Sequence, residues 1–310
     1  MSILVSGSLA YDSIMVFPDY FKNHILLDKI HNINVSFLVD GLKVNYGGTA
    51  GNIAYSLALL GERPRVLATA GKDFAEYGSW LSKNGVDVSG IKIISEKFTA
   101  LAHIVTDKGD NQITAFYPGA MKHSAGKLKK EFLKNSLAII SPGCLEDMRN
   151  YLAIYKKNKI PYIFDPGQQI TILSKKELTQ GISGAKVFIS NDYELSLVTQ
   201  KTGLDENDII NQVEILVTTL GEKGSVIKTK TEKYEIPVAK PKAVKDPTGA
   251  GDAYRSGFVK GLIAGLPLAK CGRLAAVVSA YTVETYGTQT HKFTMEDARR
   301  RYKQNFRENL

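Results

Sequence analysis

Short runs rich in Val, Ile, Leu and Phe alternate with longer amphipathic stretches along most of the chain. The runs Ile3–Ser6, Arg65–Ala70, Leu137–Ser141, Tyr162–Asp165, Val187–Ser190 and Ile215–Thr219 predict strands. Apolar positions recurring every three or four residues predict helices over Thr49–Leu60, Phe74–Asn84, Leu145–Lys157, Asp192–Thr199 and Asp205–Gln212. Several strand runs are almost continuously apolar, as expected for a parallel sheet covered on both faces. Repeated strand-then-helix order predicts an α/β fold with a doubly wound, mostly parallel sheet in three layers. Such sheets bind their ligands beyond the carboxyl ends of the strands.

Two segments break the alternation. Residues 12–45 are irregular and apolar. Residues 99–118 predict a β-hairpin, Leu101–Thr106 and Gln112–Tyr117, joined at a Gly109-Asp110-Asn111 turn. A small sheet outside the main one accounts for both, so we expect one domain over 1–310 with an inserted β-sheet lid formed by about 12–45 and 99–118. Repeats, linkers and low-complexity segments are absent from the sequence.

Composition adds little to this picture and removes several alternatives. The chain has 310 residues, 44% hydrophobic and 23% charged, which excludes wholesale disorder and fibrous architectures. Two cysteines, Cys144 and Cys271, make neither a disulfide framework nor a zinc pattern, so a cytoplasmic setting is expected. The start, MSILVSGSLAYD, lacks the basic-then-apolar order of a signal peptide. The apolar stretch from Leu262 to Tyr281 is interrupted by Lys270 and Arg273, so no membrane partner is expected.

Forty basic against 31 acidic side chains give a net charge of +9, which favours an anionic partner. The excess is spread over 122–134, 156–159, 223–245 and Arg299–Arg301, without any zinc-finger, homeodomain or RNP1-like signature. That is the pattern of a solvated surface, and nucleic acid is not an expected partner.

The chemistry concentrates in Asp246-Pro-Thr-Gly-Ala-Gly-Asp252, which opens a long helical pattern. A Gly-Ala-Gly turn at a helix start presents bare backbone N–H groups, and the helix dipole adds positive potential. Gly249, Ala250 and Gly251 therefore make a candidate anion hole for a phosphoryl group. Asp252, in the first turn, is a candidate general base for an attacking hydroxyl. A second glycine loop, Gly47-Gly48-Thr-Ala-Gly-Asn52, enters another helix, and Asn52 can both donate to and accept from hydroxyls. There is no Walker A loop, no G-x-G-x-x-G after a strand and no G-x-S-x-G. The five histidines have neither metal spacing nor a nucleophile beside them.

Taken together, DPTGAGDAYRSGF resembles the C-terminal signature of the ribokinase (PfkB) family of carbohydrate and nucleoside kinases, and GGTAGNIA its N-terminal signature. Asn191-Asp-Tyr-Glu194 resembles the family's N-x-x-E motif, and Thr219-Leu-Gly221-Glu-Lys-Gly224 its T-x-G-x-x-G segment. Asp246-Pro-Thr, Arg255 and the segment Asp110–Met121 resemble adenosine kinase and related bacterial nucleoside kinases most.

The resemblance implies a ribokinase-like fold and ATP-dependent phosphorylation of a nucleoside 5′-hydroxyl, with adenosine as the leading acceptor. It implies Asp252 as base and Gly249, Ala250 and Gly251 as anion hole. Asp12, Gly48 and Asn52 would hold the sugar hydroxyls. Gln112, Phe116 and Phe37 would meet sugar or base, with Phe17 and Tyr117 as further aromatic candidates. By local pattern alone, each of those aromatics reads more readily as core than as a base stacker. Asn191, Thr219, Gly221 and Gly224 would line the ATP site, and Glu194 would act on Mg²⁺ through water. Asp246 and Thr248, with the 284–289 segment, match the place of a monovalent cation, K⁺, in many members. By local pattern alone, Asn191 and Glu194 read as a helix-capping pair. Monomers and homodimers both occur in the family. The competing readings are a ribose or fructose kinase, or a silent nucleoside-binding protein.

Overall fold

The computed structural model describes all residues except 27–30, 33 and 110; the middle of the predicted Gly109-Asp110-Asn111 turn lies outside the described residues. In chain order the strands are β1 (Ser2–Ser6), β2 (Ala10–Val16), β3 (Gly41–Gly47), β4 (Arg65–Gly71), β5 (Ile91–Ile94), β6 (Ala100–Thr106), β7 (Gln112–Tyr117) and β8 (Ser136–Ile140). They continue as β9 (Tyr162–Phe164), β10 (Val187–Asn191), β11 (Ile215–Thr219), β12 (Ser225–Lys228) and β13 (Lys233–Ile236). The helices are α1 (Thr49–Leu59), α2 (Ala75–Lys83), α3 (Leu145–Lys157), α4 (Lys175–Ile182) and α5 (Asp192–Thr202). They end with α6 (Glu206–Gln212), α7 (Ala250–Ile263), α8 (Leu268–Val283) and α9 (Met295–Phe306).

One sheet has nine strands in the order β13-β12-β11-β10-β9-β8-β1-β4-β5. From β11 to β5 all neighbours are parallel, and β12 and β13 add an antiparallel edge. Alternate side chains of each strand feed two different cores. Ile3, Val5, Leu137 and Ile139 pack with residues of α1, α2, α7 and α8, whereas Leu4, Ala138 and Ile140 pack with α3, α4, α5 and α6. This two-faced burial explains the unbroken apolar runs in the sequence. From β1 the sheet grows one way through β4 and β5, and the other way from β8 onward, so a topological switch point lies between β1 and β8.

The second sheet has four strands in the order β3-β2-β6-β7. Two of them are expected from the sequence and two are not. The hairpin β6–β7 forms where predicted, but the segment 12–45 is not irregular throughout: its two ends are the paired strands β2 and β3. The sheet is mixed, since β2 runs antiparallel to β3 but parallel to β6. Cys144 and Cys271 are both free thiols. Among the described residues, no helix is long and apolar enough to cross a membrane.

Candidate active site

Most of the residues singled out by sequence gather along the carboxyl edge of the parallel strands. α7 starts there, with Gly249 as its N-cap at φ +79°. A Cβ at that position would lie 2.8 Å from Thr288 Cγ2, so both the backbone and the space require glycine. The N–H of Ala250 closes a turn on the carbonyl of Pro247 at 3.2 Å. Among the described residues, the next two N–H groups, of Gly251 and Asp252, find no protein acceptor. The Gly249 N–H likewise finds none, so within the Gly-Ala-Gly string the Ala250 N–H alone is taken and the free donors are those of Gly249, Gly251 and Asp252.

Asp252 occupies this same first turn. Its Oδ2 accepts from Asn52 Nδ2 at 2.9 Å, across 200 residues of sequence. Burial pushes the carboxyl up, while Arg255 and the Asn52 hydrogen bond pull it back and Glu194 adds to the rise. Asn52 is itself held: Gln289 Nε2 donates to its Oδ1 at 3.1 Å and also to the Tyr77 hydroxyl at 2.5 Å. Tyr77 in turn donates to the carbonyl of Gly47 at 2.8 Å. The Thr288 hydroxyl donates to the Tyr46 carbonyl at 3.0 Å, so the loop after α8 is tied to the glycine loop before α1.

Gly48 caps α1. Thr49 Oγ1 donates to the carbonyl of Pro142 at 2.8 Å, stapling the start of α1 to the loop after β8 at the switch point. Asp12 lies on β2, opposite Asn45 of β3 and Ala102 of β6, and Ala102 lies opposite Phe116 of β7. Directly paired residues share a sheet face, so Asn45, Asp12 and Phe116 form one row. Burial, Asp246 and Asp252 together push the Asp12 carboxyl up to about 6. Asn45 Nδ2 is buried without a hydrogen-bond partner.

Phe116 is 52% exposed on this face, and Gln112 lies on the same face four residues earlier on β7. Phe37 is elsewhere. It packs against Phe17 and Phe21 with ring centroids 4.8 and 5.0 Å apart, in an aromatic cluster at the far end of the small sheet. Tyr117 faces the opposite side from Asp12.

Asn191 and Glu194 form the capping box of α5: Asn191 Oδ1 accepts from the Glu194 N–H at 2.7 Å, and Glu194 Oε2 accepts from the Asn191 N–H at 2.9 Å. The capping reading is thus realised, and Glu194 keeps Oε1 free. Its charge still reaches Asp252, Asp165 and Arg255. Thr219, Gly221 and Gly224 border a cavity of about 380 Å³ whose other walls include Val244, Ala250, Gly251, Tyr254 and Val283. Asp246 accepts the Thr248 N–H at 2.9 Å and the Gly287 N–H at 3.0 Å, joining the loops on either side of α7 and α8.

Sequence reasoning missed Gln289 as an individual contributor, and it missed Asp165. Asp165 follows β9 and is 1% exposed as a side chain, paired with Arg255. It was visible only as the last residue of a predicted strand. The residues ETYGTQ, which contain Gln289, were singled out for a cation and not for this hydrogen-bond chain.

A doubly wound sheet, a smaller β-sheet beside its carboxyl edge, and a helix N-terminus with an adjacent carboxylate describe a phosphotransferase that acts on a hydroxyl group. The chain belongs to the pfkB family of carbohydrate kinases, whose family model matches residues 9–294. It is 34% identical over 277 residues to a nucleoside kinase of Methanocaldococcus jannaschii, covering 86% of this chain and 91% of that protein. It is 27% identical over 267 residues to a cytidine kinase of Thermococcus kodakarensis, covering 83% and 96%. The solved structure of Burkholderia thailandensis nucleoside kinase in complex with inosine superposes with a TM-score of 0.86 at 35% identity, covering 99% of both chains. The same enzyme in complex with ADP and inosine superposes at 0.84, with 36% identity, 99% of this chain and 97% of that one. The fold is ribokinase-like, as the sequence signatures imply.

Proposed function

We propose that this chain transfers the γ-phosphoryl group of ATP to the 5′-hydroxyl of a nucleoside, with adenosine as the leading acceptor. The observation that carries the reading is the first turn of α7, where two free N–H groups stand beside a carboxylate held by Asn52. In this reading Asp252 takes the hydroxyl proton as the oxygen–phosphorus bond forms and the bond from the γ-phosphorus to the bridging oxygen of ADP breaks. The N–H groups of Gly251 and Asp252 receive the phosphoryl oxygens. Donors fixed in advance cost no reorganisation as charge develops, and removing one typically costs ~2.7–4 kcal/mol.

Asp12 and Asn52 would take the ribose hydroxyls, with Gly48 closing that wall. A vicinal diol suits a carboxylate able to accept two hydrogen bonds. Asn45, with its unpartnered buried amide, stands in the same row. Phe116, exposed on that face, suits a flat base, and Gln112 a base or sugar edge. The packing of Phe37 among Phe17 and Phe21 favours a role in building the small sheet. That sheet would close as a lid over the acceptor and exclude water. The cavity bordered by Thr219, Gly221 and Gly224 suits the ATP base and ribose, with Asn191 near the phosphates.

The donor set fits Mg²⁺ carried in by the nucleotide: Glu194 keeps one carboxylate oxygen, and no cluster of three metal-ligating side chains exists among the described residues. Mg²⁺ keeps several waters and needs few protein ligands. Glu194 would hold such a water, and the ion would neutralise phosphate charge. A K⁺ ion would belong at the loops that Asp246 ties together, near Thr248.

The test is ATP consumption with Mg²⁺ and K⁺ against adenosine, inosine, guanosine, cytidine, uridine, ribose and fructose. Turnover with adenosine ahead of the others supports the full reading. Turnover led by another nucleoside keeps the class and discards adenosine, whereas turnover only on a free sugar overturns the nucleoside assignment.

A further inference from the structure

Arg255 lies one helical turn beyond Asp252 on α7, on the same side of the helix. Its side chain is 11% exposed and faces Asp165, which is 1% exposed. Nη2 donates to Asp165 Oδ1 at 2.7 Å, and Nε meets Asp165 Oδ2 at contact distance but off the line of a hydrogen bond. Two of the three guanidinium nitrogens are therefore committed to Asp165. The third, Nη1, lies over the first turn of α7, 2.7 Å from where a Cβ on Gly251 would stand. The glycine leaves room for Nη1 beside the first turn of α7, where a side chain at that position would collide with it. Burial works against the charged guanidinium, but Asp165 and Asp252 outweigh it, so Arg255 keeps its charge.

A buried ion pair is a weak stabilising device, because desolvation cancels much of its attraction. Here the pair instead fixes a planar cation in one orientation, with one nitrogen left over. We infer that Arg255 is a further catalytic residue, whose Nη1 contacts a γ-phosphoryl oxygen of ATP as the group passes to the acceptor, and that Asp165 is the positioning residue that aims it. The inference rests on the kinase reading above. The step itself is unchanged: the proton goes to Asp252, the phosphoryl group to the acceptor oxygen, and ADP leaves. Arg255 adds a fixed cation where charge spreads over the equatorial oxygens.

The experiment compares Arg255→Lys and Asp165→Asn with the parent enzyme. The readouts are kcat and acceptor KM on the best acceptor, the melting temperature, and the affinities for ADP and for the non-hydrolysable β,γ-methylene analogue of ATP. Lysine keeps a charge against Asp165 but cannot make the fork. The expected result for Arg255→Lys is a kcat lowered about 10²-fold or more, an acceptor KM within threefold, and loss of the parent's preference for the ATP analogue over ADP. Asp165→Asn, which keeps the arginine but frees it, should lose less kcat and part of the same preference. Arg255→Lys with kcat and the analogue-to-ADP ratio both within threefold of the parent would overturn the inference, leaving the pair a structural one visible only in the melting temperature. Should the parent use a sugar and no nucleoside, the acceptor assignment fails while this comparison is run on that sugar. Should it turn over nothing, the affinity ratio alone still decides for or against Arg255.

Discussion

Replacing Asn52 by Leu removes the hydrogen bond that Asp252 Oδ2 accepts while keeping nearly the same side-chain volume. A hydrogen bond to a charged group contributes about 1.5–3 kcal/mol. One pH unit corresponds to about 1.36 kcal/mol, so the Asp252 carboxyl should rise by about 1–2 units. The direction matters. Burial already pushes this group up, and Asn52 is one of the two influences holding it down. A base must be ionised to take a proton, so activity falls as pH drops through its pKa. A higher pKa therefore moves the acid limb of the rate profile toward neutrality by about 1–2 units. Below that limb the variant should be about 10–100-fold slower than the parent, and the gap should narrow as pH rises. The assay is single-turnover phosphoryl transfer by rapid quench, at saturating ATP and acceptor, from pH 5 to 9. Gln289→Leu serves as the graded control. It only fixes the Asn52 amide, so its shift should stay under about one unit. An Asn52→Leu profile lowered by the same factor at every pH, with its acid limb unmoved, would refute the reasoning.

Three further outcomes are expected. Asp252→Asn should cut kcat by about 10²-fold or more while calorimetry finds nucleoside affinity within a few-fold of the parent. The Asp12 carboxyl is raised in the fold to about 6, so the stability it contributes is complete below its unfolded value, about 4, and is lost as pH rises through 6. Asp12→Asn should therefore stabilise the protein at pH 8 by up to about 3 kcal/mol and hardly at pH 4, read by denaturant titration, while raising the nucleoside KM. Gly224 has φ +91°, and a Cβ there would fall 2.0 Å from the Ile236 carbonyl oxygen. Gly224→Ala should lower stability by about 1–3 kcal/mol or more and raise the KM for ATP with little change in the acceptor KM.

The main sheet was readable because its strands are apolar on both faces; Ile215–Thr219 and the helix Leu145–Lys157 fall on their predicted ends. The small sheet was harder. Leu42 and Val44 of β3 are 68% and 57% exposed, so apolar residues face solvent and the usual in–out alternation of a half-buried strand is lost. At the site, short motifs announced Asp252 and Asn52 because both stand beside glycines, Gly249 and Gly48, that the local backbone geometry demands. Gln289 and Asp165 carry no such local demand. Their partners, Asn52 and Arg255, are 237 and 90 residues away, and only the folded chain brings them together. Phe37 and Phe116 were indistinguishable as aromatics, and the strand register separates them by placing Phe116 in the Asp12 row.

The site is stitched from opposite ends of the polypeptide. Asn52 meets Asp252, Tyr46 meets Thr288, and the Tyr55 hydroxyl donates to the His291 carbonyl across 236 residues. During synthesis, then, β1, β2 and α1 leave the ribosome long before any of their catalytic counterparts exist. The seven parallel strands can assemble in the meantime, but the buried amide of Asn52 must wait for its partners, and so must the face of α1 that α7 covers. Contacts of this sequence separation close slowly, and an unfinished chain exposes that face while it waits. A nonsense or frameshift lesion between α1 and α7 should thus yield a sticky fragment for the quality-control machinery rather than a weakened enzyme.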